Sequence, residues 1–179
     1  REDIYFRLPE GRPLVERSSE LFYATNVITD YALHFLEDAR VAEQPYYLYL
    51  AYNAPHFPLQ APVEMIDKYV DVYEKGWDEI RQERYGRMVA SGLIAEDFRL
   101  SERGLVPEVP NRNKDSKYFG QQIPAWNSLD LDRQKDLTRR MATFAAMVEI
   151  VDSNVGRVVL DLRDNGELEN TCIFFLSDN

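Results

Sequence analysis

The chain has 179 residues, of which 45% are hydrophobic, 12% aromatic and 29% charged, the composition of a polypeptide that folds around an apolar core rather than of a disordered tail. Thirty-one acidic against 21 basic side chains give a formal charge of -10, so a polyanion meets a repulsive average field and nucleic-acid binding is disfavoured as the main role. The longest apolar runs, 46–52 and 173–176, fall far short of the roughly 20 residues of a membrane-spanning helix, and the single cysteine, Cys172, forbids an internal disulfide and cannot by itself build a thiolate metal site.

The chain opens at Arg1 without methionine and closes at Asn179 directly after an apolar run, a pattern expected of an internal piece of a longer protein. Residues 1–17, with Pro9, Gly11 and Pro13, show no clean periodicity and read as irregular or as short strands. Ser18 and Ser19 offer N-cap hydroxyls to a helix over 20–42, on which Leu21, Ala24, Ile28, Tyr31, Ala32, Phe35 and Ala39 recur at three- and four-residue spacing. After Pro45 the run 46–52 (YYLYLAY) predicts a strand covered on both faces. A loop with Pro55, Pro58 and Pro62 follows. Ligand sites of open α/β sheets gather at such strand ends.

Helical spacing returns over 63–73 and 78–90, with Gly76, Gly86 and Gly92 as breaks or caps. The polar stretch 92–125 reads as a loop insertion, of the length usual for a lid or binding loop. From a cap at Ser128, with Asp130 and Asp132 in the first turn, a helix of about 50 Å is predicted over 129–163. Its apolar stripe is Met141, Phe144, Val148, Val151, Val155, Val158 and Leu162, and Asn165-Gly166 supplies the stop. Residues 171–176 then read as a second buried strand, carrying 177–179 at its carboxyl end. Helices alternating with buried strands predict an α/β fold, and no repeat or linker divides the chain.

Few residues carry a chemical signal. Asp178 and Asn179 place a carboxylate and an amide carbonyl side by side. Such a pair commonly makes a turn by bonding its own backbone, and it equally offers the oxygen ligands that calcium or magnesium takes. His56, in Asn53-Ala54-Pro55-His56-Phe57-Pro58, is flanked by prolines that stiffen its loop. It suits proton donation to a leaving oxygen or contact with an anion, or, more blandly, a bond to backbone. His34 reads as packing or surface, Asp152 as a half-buried, hydrogen-bonded residue within the helix stripe, and Cys172 as a buried hydrophobe rather than a nucleophile. The tyrosines at 46, 47, 49 and 52 need no ligand beyond strand packing.

Together, 23–30 (YATNVITD), 45–62 (PYYLYLAYNAPHFPLQAP), 118–126 and 145–179 (AAMVEIVDSNVGRVVLDLRDNGELENTCIFFLSDN) resemble the sulfatase family, in its arylsulfatase-like branch within the alkaline-phosphatase-like superfamily. The most specific part is the final segment: a helix with Val-Gly-Arg, a Gly-Glu-Leu-Glu-Asn-Thr turn, then an apolar run into Ser-Asp-Asn, combined with APHFP about 120 residues earlier. The resemblance implies a three-layer α/β sandwich with a mostly parallel sheet flanked by helices, of which residues 1–179 form the central part of one catalytic domain. It implies that Asp178 and Asn179 supply two ligands of one divalent cation, calcium rather than magnesium, and that His56 binds the sulfate ester near its leaving-group oxygen.

Members of this family use a formylglycine nucleophile made from a cysteine or serine in Cys/Ser-x-Pro-x-Arg. That motif does not occur here, and Cys172 is followed by Ile-Phe-Phe, so the nucleophile is expected outside this stretch and the stretch alone is expected to be inactive. The implied substrate is a small sulfate ester or a sulfated glycan, and the implied location periplasmic, secreted or lysosomal. Two other readings stay open: a phosphomonoester or phosphonate hydrolase on the same scaffold, since fold and metal do not separate sulfate from phosphate, and a non-catalytic relative that binds a sulfated ligand.

Overall fold

The computed structural model describes residues 22–106 and 120–177. Residues 1–17, the Ser18 and Ser19 caps, part of the 92–125 insertion, and both Asp178 and Asn179 lie outside the described residues. The described residues are organised by α1 (Ala24–Val41), α2 (Val63–Glu74), α3 (Gly76–Ala90) and α4 (Leu131–Asp164), with 3₁₀ turns at Trp126–Ser128 and Leu168–Asn170. The chain divides into two units, one of Arg1–Pro58 with Met147–Asn179 and one of Leu59–Ala146.

The expected α/β sandwich with a mostly parallel sheet is not what these residues form. Among the described residues there is no strand or sheet, only an isolated antiparallel bridge between Leu105 and Gln122. Residues 46–52 and 171–176 are irregular and make no ladder hydrogen bonds. An apolar run becomes a strand only beside a neighbour whose N–H and C=O groups complete its ladder, and neither run supplies one to the other. Nor is the first run covered on both faces. Leu48 and Leu50 pack against the cluster of Leu36, Val158 and Leu162, while Tyr47 and Tyr49 between them are 90% and 76% exposed. The second run is exposed throughout 172–176, so the expectation that Cys172 is buried also fails.

In the first unit, α1 begins at Ala24, with Tyr23 as an N-cap that makes no side-chain capping bond. Its buried residues are Thr25, Thr29, Ala32 and Leu36, one step around the helix from the expected stripe, and Phe35 is exposed. The periodicity was read from apolar side chains, whereas two of the four buried positions are threonines. Thr29 sends its hydroxyl hydrogen to the Thr25 carbonyl one turn back, at 3.1 Å, a local bond that removes the penalty of burying an unpaired hydroxyl.

Helix α4 repeats the correction. Its buried side chains include Thr138, Ala142, Ala146, Ile150, Asn154, Val158 and Leu162, a run in steps of four, while Met141, Phe144 and Val148 of the expected stripe are exposed. Asp152 is likewise exposed rather than half-buried. The start of α4 is capped by Asp130, whose carboxylate accepts the Arg133 N–H at 2.7 Å, rather than by Ser128, whose hydroxyl donates to the Ala125 carbonyl at 2.7 Å. The stop is as read from the sequence. Gly166 takes φ 71°, its N–H bonds Arg163 O and the Glu167 N–H bonds Leu162 O, the paired bonds of a Schellman turn that glycine accommodates without a Cβ penalty.

The second unit packs Ile66 of α2 against Ala142 and Ala146 of α4, flanked by Ala61, Met65, Tyr69, Val70 and Tyr73. At the α2–α3 junction Gly76 has φ 81°, and a Cβ there would lie 2.1 Å from the Trp126 ring. The Trp126 indole, buried, meets Trp77 edge-on with centroids 4.9 Å apart.

Candidate functional site

His56 lies on a short turn immediately after the segment that packs on α1. Its own N–H bonds the Asn53 carbonyl at 2.9 Å, and the Ala54-Pro55 and Phe57-Pro58 peptide bonds on either side are cis. The imidazole is exposed, and Nδ1 lies 2.6 Å from the Phe57 carbonyl oxygen. A carbonyl only accepts, so Nδ1 carries the hydrogen of this bond. The backbone bond expected of a loop histidine is thus present.

Upstream, Tyr52 Oη is 2.7 Å from Thr29 Oγ1. The threonine's one hydrogen goes to the Thr25 carbonyl, so the phenol is the donor. The sequence offered no signal for this pair, because Tyr52 looked like one more apolar member of a strand.

A second set of side chains sits on two of the segments that carry the family resemblance, 23–30 and 145–179. Asn154 of α4, 2% exposed, donates one amide hydrogen to Asn26 Oδ1 on α1 and the other to the Ile150 carbonyl, both at 2.8 Å. Arg157 Nη1 donates to Asn154 Oδ1 at 2.9 Å and its Nη2 to Asp30 at 2.5 Å. The motifs marked the four residues without revealing that they meet. Further along, Arg40 of α1 donates to Glu167 at 3.0 Å and also pairs with Asp161. Hydrogen bonds to Glu167 first and Asp161 second push its pKa upward, fixing its charge. These networks tie α1 to α4 and to the turn after it.

Asp178 and Asn179, the expected cation ligands, lie outside the described residues. Among the described residues no three His, Cys, Asp or Glu side chains converge as a metal site. The donor types of the pair, a carboxylate and an amide carbonyl, fit a hard cation that takes oxygen ligands. His34 is exposed on α1, in keeping with a surface role.

In the second unit a cleft of about 460 Å³ is lined by Asp78, Arg81, Gln82, Glu102, Arg103 and Gln122, three of them from the 92–125 insertion. Asp78 accepts from Arg103 at 2.8 Å and from the Trp126 N–H at 2.9 Å. The Arg103 bond first, and the backbone bond after it, hold its carboxyl below the ordinary aspartate value, against the opposing effect of burial.

The sequence profile of the sulfatase family matches residues 4–179, and the chain belongs to that family. It is 34% identical to an uncharacterized sulfatase of Schizosaccharomyces pombe over 93% of this chain and 27% of that protein. It is also 34% identical to an arylsulfatase of Klebsiella aerogenes over 76% of this chain and 26% of the relative. An N-acetylglucosamine-6-O-sulfatase of Bacteroides thetaiotaomicron is 25% identical over 94% of this chain and 34% of its own length. The chain thus spans about a quarter of the first two relatives it matches. No helix among the described residues is long and apolar enough to cross a membrane.

Proposed function

We propose that the protein containing this chain is a metal-dependent hydrolase of sulfuric esters, with residues 1–179 as the central part of one catalytic domain and 92–125 as a loop insertion in it. The observation that carries this reading is the 34% identity to an arylsulfatase over 76% of the chain. In this reading Asp178 and Asn179 hold one divalent cation, calcium rather than magnesium, through their side-chain oxygens. When present, the cation supplies Lewis-acid polarisation of sulfate oxygens, and a formylglycine made from a cysteine or serine outside this chain supplies the nucleophile.

His56 binds the ester beside its leaving-group oxygen. With Nδ1–H held by the Phe57 carbonyl, a protonated ring donates from Nε2 to the departing oxygen and is left as the neutral tautomer that this same bond favours. The substrate is a small sulfate ester or a sulfated glycan. The similarity to an N-acetylglucosamine-6-O-sulfatase supports including sugar sulfates.

The test is hydrolysis of 4-nitrophenyl sulfate and 4-nitrophenyl phosphate by the full-length protein, with and without a chelator of divalent ions. Chelator-sensitive release from the sulfate ester is the expected result. Release from the phosphate ester alone would move the same residues to a phosphomonoester hydrolase. Absence of formylglycine by mass, with no release from either ester, would replace catalysis by sulfated-ligand binding.

A further inference from the structure

We infer that the Thr29–Tyr52 hydroxyl pair is a positioning device for His56: it fastens the turn that carries the imidazole to the buried face of α1. This rests on the reading of His56 as the residue that serves the leaving oxygen.

Thr29 is fully buried and Thr25 is 2% exposed, so the end of this hydrogen-bond chain is fixed inside the first unit. Its direction is also fixed: Tyr52 Oη–H to Thr29 Oγ1 at 2.7 Å, then Thr29 Oγ1–H to Thr25 O at 3.1 Å. Leu48 and Leu50, two and four residues before Tyr52 on the same alternating side, pack against Leu36, Val158 and Leu162. Two leucines and one phenol thus dock this segment on α1 and α4.

Tyr52 is the last of the three. The next residue, Asn53, accepts the His56 N–H at 2.9 Å, so the turn with the histidine starts where the anchored segment ends. Beyond that point Phe57, like His56, is exposed, and apolar packing contributes little to holding the turn. An apolar contact restrains distance from the helix but not sliding along it, whereas a hydrogen bond of 2.7 Å is directional. A displacement of about 1 Å at a reacting group can reduce turnover by about 10²-fold.

The experiment measures kcat and KM of the full-length protein on phenyl sulfate, whose leaving group needs a proton more than 4-nitrophenolate does. Tyr52→Phe keeps the ring and removes the hydroxyl, Thr29→Val keeps the shape and removes the acceptor, and Thr29→Ser keeps the acceptor. We expect kcat to fall roughly 10-fold in both Tyr52→Phe and Thr29→Val with KM nearly unchanged. Thr29→Ser should restore most of it, and the double variant should be no worse than either single one. In a His56→Ala background, Tyr52→Phe should lower kcat no further.

A Tyr52→Phe enzyme with full kcat, or one whose loss persists undiminished in the His56→Ala background, would overturn the positioning role while leaving His56 in its place. Full kcat in His56→Ala itself would remove the reading on which this inference rests.

Discussion

Asn154 Nδ2 on α4 lies 2.8 Å from Asn26 Oδ1 on α1, joining two segments of the chain that share the family resemblance and are separated by more than a hundred residues of sequence. Both hydrogens of that amide are used, the second by the Ile150 carbonyl, and the amide oxygen accepts from Arg157. Asn154 is therefore saturated and buried, a polar residue that packs in an apolar helix face because every one of its bonds is made within the protein.

Removing it should be costly. Asn154→Ala removes a buried amide and its hydrogen bonds to Asn26, Ile150 and Arg157, while the exposed Asn26 and Arg157 side chains turn to water. A hydrogen bond contributes a net of about 0.5–1.5 kcal/mol, so the urea midpoint of the full-length protein should fall by the loss of about that much per bond. Asn165→Ala, which loses only exposed bonds to Asp161 at the helix end, should shift it much less.

Gly76→Ala should be more damaging than an exchange of one hydrogen for a methyl suggests. The residue has φ 81°, a conformation costing roughly 1–2 kcal/mol for an L-residue, and the new methyl would meet the Trp126 ring at 2.1 Å. We expect a loss above about 2 kcal/mol, accompanied by a change in tryptophan fluorescence as Trp126 is displaced. Gly86→Ala, a helical position with nothing within 4 Å of the added methyl, should be neutral or stabilising by as much as about 1 kcal/mol. Denaturant titration of the two variants side by side would decide it.

The acid limb of stability should depend on Asp78. Its carboxyl is held below 3.8, the ordinary aspartate value, chiefly by the Arg103 hydrogen bond. The folded state thus binds a proton less readily than the unfolded one. Stability from this group is fully present above the unfolded value and is lost as pH falls through the lower folded value. Asp136, lowered mainly by its bond to Arg140, acts in the same direction. Asp78→Asn should lower stability at neutral pH and flatten, without abolishing, the decline below pH 4. Parallel acid limbs in wild type and variant would contradict this.

His56→Ala should spare the fold, because the side chain is exposed and its bond to Phe57 O is local. Turnover should fall by about 10²–10⁴-fold where protonation of the leaving oxygen limits the rate. The loss should be greater for phenyl sulfate than for 4-nitrophenyl sulfate, which departs well without an acid. Equal losses on both esters would make His56 a binding residue alone. Asp178→Ala and Asn179→Ala should lower divalent-ion affinity and activity together, as read by calorimetry with calcium and by the rate of ester hydrolysis.

The local sequence determined a good deal. The extents of α2 and α3, the length of α4 and its glycine stop follow from helical spacing, Asn165-Gly166 and the breaks around Gly76, because these signals act within a turn or two of chain. The motifs at 23–30, 45–62 and 145–179 marked the sulfatase family. Which face of each helix is buried was decided only by the tertiary structure. Thr25 and Thr29 on α1, and Thr138 and Asn154 on α4, occupy positions that hydrophobic spacing assigned to other faces, since their polarity is cancelled by bonds that no linear pattern displays. The apolar runs 46–52 and 171–176 failed as strands for the complementary reason. Hydrophobicity can make a segment prefer a core, but a strand requires backbone partners, and a pairing partner is a property of the assembled chain rather than of the segment.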